Sequence, residues 1–131
     1  MSMDSERSAA IIIGGKEYEL TLTTRATKVI AGRYGGLENL GDKLMSGDNF
    51  EGALDEIIFL IVLLANQSIQ IHNLWHPEEK KTLLDAETLE LLTTPADLAG
   101  FKDAILAAMT RGASRAVESE DGGDGKNQPA G

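Results

Sequence analysis

The stretch Phe50-Glu51-Gly52-Ala53-Leu54-Asp55-Glu56-Ile57-Ile58-Phe59-Leu60-Ile61-Val62-Leu63-Leu64-Ala65 decides the fold. Phe50, Leu54, Ile57 and Ile58 recur at helical spacing on one side, so the first half reads as an amphipathic helix. From Ile57 to Ala65 the sequence is apolar all round, which in a soluble protein requires neighbours on several sides. Asp48-Asn49-Phe50-Glu51 has the form of a capping box, a cap oxygen followed three residues later by Glu, and predicts a helix from Asp48 to about Ser68. A membrane span needs about 20 apolar residues. The run from Ile57 to Ala65 is far shorter and follows Asp55 and Glu56, so it reads as the central core helix, with no membrane partner.

Toward the N-terminus, Ile11 to Ile13 and Glu17 to Leu22 are strand-like runs separated by Gly14-Gly15-Lys16. Tyr18, Leu20 and Leu22 fall on one side, with Glu17, Glu19 and Thr21 on the other, and two glycines suit a tight turn. A small hairpin is predicted, its apolar face covered by helices, because two strands alone are marginal in water. Thr23 or Thr24 then caps a helix carrying Ala26, Val29, Ile30 and Tyr34, which Gly35-Gly36 stops. A second short helical run holds Leu37, Leu40 and Leu44 and closes near Ser46-Gly47.

Beyond the central helix, the segment Ile69 to Pro77 interrupts the pattern, and Pro77 disfavours a helical His76. Asp85 starts a short helix with Leu89, Leu91 and Leu92. Thr94-Pro95-Ala96-Asp97 is the clearest boundary: a cap, Pro at the first helical position, and an acid in the first turn. The last helix presents Leu98, Phe101, Ile105, Met109 and Ala113 to the core. From Ser119 to Gly131 there is no large apolar side chain to offset chain entropy, which predicts a disordered acidic tail. The expectation is a mainly α protein: a flexible N-terminus over 1–10, one hairpin-plus-helices domain of about five helices over 11–118, and a tail over 119–131.

The whole chain of 131 residues suits one domain, and its 12 Lys and Arg against 21 Asp and Glu give a net charge of −9. Nucleic-acid affinity rests on Lys and Arg neutralising phosphates, so nucleic acid is not an expected partner. There is no Cys, which removes disulfides and thiolate chemistry. No secretory signal is expected, because Met1 to Ala10 holds Asp4, Glu6 and Arg7 and no apolar run.

No catalytic, cofactor-binding or metal-binding constellation is read from the residues. His72 and His76 have the spacing of two zinc ligands on a helix, but the Glu of a metalloprotease motif is missing between them and Pro77 follows, so they read as loop histidines. Gly32, Gly35, Gly36 and Gly41 fit neither phosphate-loop pattern. Glu78-Glu79-Lys80-Lys81 reads as a solvated charged stretch. Trp75, the single Trp, lies with Ile71 and Leu74 in the segment after the central helix. An aromatic flanked by aliphatics there is either a core anchor or a binding anchor, and Ile71, Leu74 and Trp75 are the candidate partner-binding residues.

The string Ile13-Gly14-Gly15-Lys16-Glu17-Tyr18-Glu19-Leu20-Thr21-Leu22-Thr23-Thr24-Arg25-Ala26, followed by a helix and a Gly-rich break, resembles the opening of the tail assembly chaperones of long-tailed bacteriophages and their prophages. The resemblance extends over roughly Ile11 to Val117. It departs at Ile30-Ala31-Gly32-Arg33-Tyr34, where many relatives carry an acid before the break. It implies a non-enzymatic protein without cofactors, made in the cytoplasm of the bacterial host and absent from the mature virion. Its implied partner is the tape measure protein, which it would bind and keep soluble, with the major tail tube protein as a second partner during tube assembly. Rival readings are a small head or tail completion protein, and an acidic regulatory protein that mimics nucleic acid.

Overall fold

The structure is a computed structural model that describes the backbone of residues 8–36 and 50–124 and the side chains of 9–36 and 52–112. It is mainly helical, with an N-terminal hairpin of β1 (Ser8–Ile13) and β2 (Lys16–Thr21). The α-helices are α1 (Thr24–Tyr34), α2 (Phe50–Trp75), α3 (Ala86–Leu92) and α4 (Pro95–Asp124), with a 3₁₀ turn at Pro77–Glu79. These are four helices among the described residues, where about five were expected. The expected run through Leu37, Leu40 and Leu44, and the Asp48-Asn49 part of the capping box, lie outside the described residues.

The hairpin closes as its glycines dictate. Gly14 and Gly15 have φ of 59° and 81°, the paired positive values of the two-residue turn whose twist matches antiparallel strands. The register pairs Ile11 with Tyr18 and Ile13 with Lys16. Ile11, Ile13, Leu20 and Leu22 face the core while Ile12 is exposed. Two expectations fail here. β1 begins at Ser8 rather than Ile11, because Ser8, Ala9 and Ala10 pair with Thr21, Leu20 and Glu19; the backbone of β2 needs partners along its whole length, whatever side chains supply them. Thr21 is buried instead of outward-facing, since the end of β2 runs in among α2 and α4, which both pack on it.

α2 is the axis on which the other elements are hung. It packs against β2, α4 and α3. Leu60, Ile61 and Leu64 have no exposed surface, and they meet Ile30, Leu89 and Ile105 in one core. Gly52–Trp75 is long and apolar enough to cross a membrane by length and composition; in the fold it serves as the core helix. The helix runs to Trp75, past the expected stop at Ser68, so the segment Ile69 to Trp75 is helical and not a break. Gln67, Gln70 and Asn73 interrupted the apolar pattern because they meet polar partners across the fold, not because the chain turns. The Pro77 constraint acts on His76 alone, whose φ and ψ of −132° and 65° end the helix.

The helix caps follow their local chemistry. Thr23 Oγ1 accepts from the Ala26 N–H at 3.0 Å, and α1 stops at Gly35, whose N–H donates to the Ala31 carbonyl at 2.8 Å. Asp85 Oδ1 accepts from the Thr88 N–H at 2.7 Å, a bond that holds the Asp85 carboxyl below its ordinary value. Thr94 and Asp97 form the reciprocal box expected of them: the Thr94 N–H donates to Asp97 Oδ2 at 3.0 Å and the Asp97 N–H to Thr94 Oγ1 at 3.2 Å. α4 continues to Asp124, beyond the Ser119 boundary drawn from composition. Once a helix is nucleated, each added residue gains a backbone bond without needing a core contact. Residues 125–131 of the expected tail lie outside the described residues.

Close approach fixes where α4 meets the hairpin. A Cβ placed on Gly112 would lie 2.6 Å from the Leu22 Cβ and 2.9 Å from its Cδ2, whereas one on Gly100 of the same helix would meet nothing within 4 Å. Gly112→Ala is therefore expected to destabilise the fold by about 1 to 3 kcal/mol through overpacking. Gly100→Ala is expected to stabilise it by up to about 1 kcal/mol through helix propensity. Denaturant unfolding of the two variants gives opposite signs if the contact is as described.

Candidate functional site

The candidate residues Ile71, Leu74 and Trp75 occupy the last turns of α2, not a loop. Ile71 is half-buried, but Leu74 is 73% exposed and Trp75 71% exposed. Trp75 is therefore not buried as a core anchor. The three side chains do not form a single patch. Leu74 lines a cleft with Thr23, Arg25, Gln67 and Gln70. Trp75 lines another, of about 360 Å³, with Lys16, Tyr18, His72, His76 and Lys81 beside the hairpin. Ile71 lines both and forms the ridge between them.

The end of α2 is packed against the turn that follows it. The His72 and His76 rings stack with centroids 4.8 Å apart, and His72 Nε2 lies 2.9 Å from the Glu79 carbonyl oxygen. The pair is thus packed ring on ring and engaged with the 3₁₀ turn. Among the described residues no group of three or more His, Asp or Glu side chains is placed to hold a metal ion.

Two asparagines, two turns apart on α2, clamp the extended chain that returns toward α3. Asn66 donates from Nδ2 to the Leu84 carbonyl at 2.8 Å and accepts from the Leu84 N–H at 2.7 Å. Asn73 does the same to Lys81, at 3.1 Å and 2.7 Å. Each side-chain amide stands in for one residue of a neighbouring strand, since it offers one donor and one acceptor at peptide spacing. Sequence reading missed both residues. The signal available was their common face, seven residues apart, on a largely apolar helix.

On the α1 side, Thr23 Oγ1 donates to Gln67 Oε1 at 2.6 Å, and Gln67 Nε2 donates to the Leu63 carbonyl at 3.3 Å. The buried Gln67 amide is satisfied at both ends. Arg25 Nη1 donates to Gln70 Oε1 at 3.1 Å. At the far end of α1, Arg33 pairs with Glu56 at 3.3 Å, its guanidinium lying 4.0 Å from the Phe59 ring centre. The Tyr34 hydroxyl donates to the Glu56 carboxylate. Burial, and then this bond to an anion, push the Tyr34 phenol up to about 12.

A long groove also runs along α2, lined by Ile58, Phe59, Val62 and Leu63 with Ala86 and Glu90 of α3 opposite, and enclosing about 500 Å³. Sequence reading assigned these apolar side chains to an all-round core. Phe59, Val62 and Leu63 are only partly buried. The described residues thus form apolar and mixed clefts. Comparison of the chain with protein-family models, with curated proteins and with solved structures finds no match.

Proposed function

We propose that this protein is a non-enzymatic tail assembly chaperone of a long-tailed phage or prophage. It binds the tape measure protein, keeps it soluble, and promotes assembly of tail tube subunits around it in the bacterial cytoplasm. It is absent from the mature virion. The observation that carries the reading is the pair Leu74 and Trp75, two large apolar side chains left exposed at the end of the central helix. A large aromatic held out at a helix end is a typical binding anchor. A net charge of −9 favours solubility of a complex with an aggregation-prone partner. The hairpin-to-helix string from Ile13 to Ala26 supplies the family resemblance.

Coexpression with the tape measure protein of the same phage tests the proposal. The tape measure protein should move from the insoluble to the soluble fraction and co-purify with the wild type. Trp75→Ala should reduce that recovery several-fold while the domain stays folded, because the side chain contributes little to the core. Equal tape measure solubility with and without this protein overturns the chaperone reading. Retention of the protein in purified virions would favour the completion-protein reading instead.

A further inference from the structure

The groove on α2 and the cleft at Leu74 adjoin. Gln67 and Gln70 line both, so the two make one channel-like line of recesses along α2 from Asp55 to Leu74, with Ala86 and Glu90 of α3 beside the groove and Thr23 and Arg25 beside the cleft. At 1.5 Å per residue it is about 28 Å long, the length of a helix of about five turns. Its floor is apolar at Ile58, Phe59, Val62 and Leu63. The buried amide in that floor, Gln67, is already hydrogen-bonded to Thr23 and Leu63. An apolar side chain seated there strands no polar group.

The charge along the channel is uneven. Asp55 and Glu90 stand exposed at one end with no hydrogen bond or ion pair to any described residue, whereas Arg33 nearby is taken by Glu56. The other end carries Arg25.

We propose that this channel seats one amphipathic α-helix of a partner protein, with an apolar stripe against Phe59, Val62 and Leu63 and a Lys- or Arg-bearing end over Asp55 and Glu90. Apolar burial gives the affinity, and the unpaired carboxylates set the polarity and the partner's charge. In an antiparallel two-fold contact a second copy of this chain would bring only Arg25 toward Asp55 and Glu90, and Arg25 already donates to Gln70, so a partner's own Lys or Arg is the better match for these carboxylates. The inference goes beyond the tape measure reading, with which it shares Leu74: Trp75 lines the other cleft, so Trp75→Ala and changes at the carboxylates separate the two.

The test uses the full chain and two labelled helical peptides of about 18 residues, identical in a Leu stripe at i, i+4, i+7 and i+11. One ends in Lys-Lys and the other in Glu-Glu. Fluorescence anisotropy at low salt should show the Lys-ended peptide binding at least tenfold tighter, with the preference shrinking as salt is raised. The double variant Asp55→Lys, Glu90→Lys alters only exposed side chains and should reverse the preference. Val62→Asn, checked for folding by circular dichroism, should weaken both peptides. Failure of both peptides to bind, or an unchanged preference in the double variant, overturns the proposal. So does a dimer in light scattering that Val62→Asn dissociates, which would make the channel a self-contact.

Discussion

Leu60→Ala is expected to lower the unfolding free energy by about 3 to 5 kcal/mol, and Ile61→Ala by a similar amount. Both side chains are wholly buried, at the level of α2 where β2, α3 and α4 pack around it. Truncation removes the transfer free energy of three carbons and leaves a cavity that three surrounding elements cannot easily fill. Phe59→Ala, on the partly covered face, should be milder, because that site collapses onto solvent. Urea unfolding followed by circular dichroism measures all three. A loss below about 0.5 kcal/mol at both Leu60 and Ile61 would mean that α2 is not the core helix.

Asn66→Ala should lower stability by about 2 to 3 kcal/mol, more than a half-buried polar residue usually commands. The variant strands both the N–H and the carbonyl of Leu84, a buried residue, and each unmet backbone group costs about 1 to 3 kcal/mol when water cannot replace its partner. Asn73→Ala breaks the matching pair at Lys81, where the groups are exposed, so water takes over and the loss should stay below about 1 kcal/mol. Asn66→Asp should fall between, because it still accepts from the Leu84 N–H but sets an anion against the Leu84 carbonyl. Equal losses at Asn66 and Asn73 would show that the clamp at Leu84 is not the anchoring one.

Where sequence reading succeeded, the chemistry was local. The Gly14-Gly15 turn, the Thr23 and Asp85 caps and the Thr94-Asp97 box all depend on residues within a few positions of one another. Where it failed, the missing information lay far along the chain. Gln67 looked like the end of an apolar helix, yet its partner is Thr23; Asn66 is answered by Leu84. The same blindness touched the binding surfaces. Leu74 and Trp75 were legible as candidate contacts but not as exposed ones. The groove over Phe59, Val62 and Leu63 was hidden inside a run that read as uniformly core. Asp55, Asn66 and Gln70 share that face of α2, and polar residues recurring along one side of an otherwise apolar stretch are the signal that this side is not wholly core.

The two clamps have a bearing on how the chain avoids its own kind. The stretch over 80–85 belongs to no helix or strand and is extended at Lys80 and Asp85, and an extended backbone with free donors and acceptors is a template on which another chain can add as a strand. Here the peptide groups at Lys81 and Leu84 are spoken for by side chains of a helix. A helix cannot propagate a sheet, so an incoming strand finds the ladder interrupted at both positions. Beside a central helix that leaves Leu74 and Trp75 in the open, the backbone at Lys81 and Leu84 is thus already occupied.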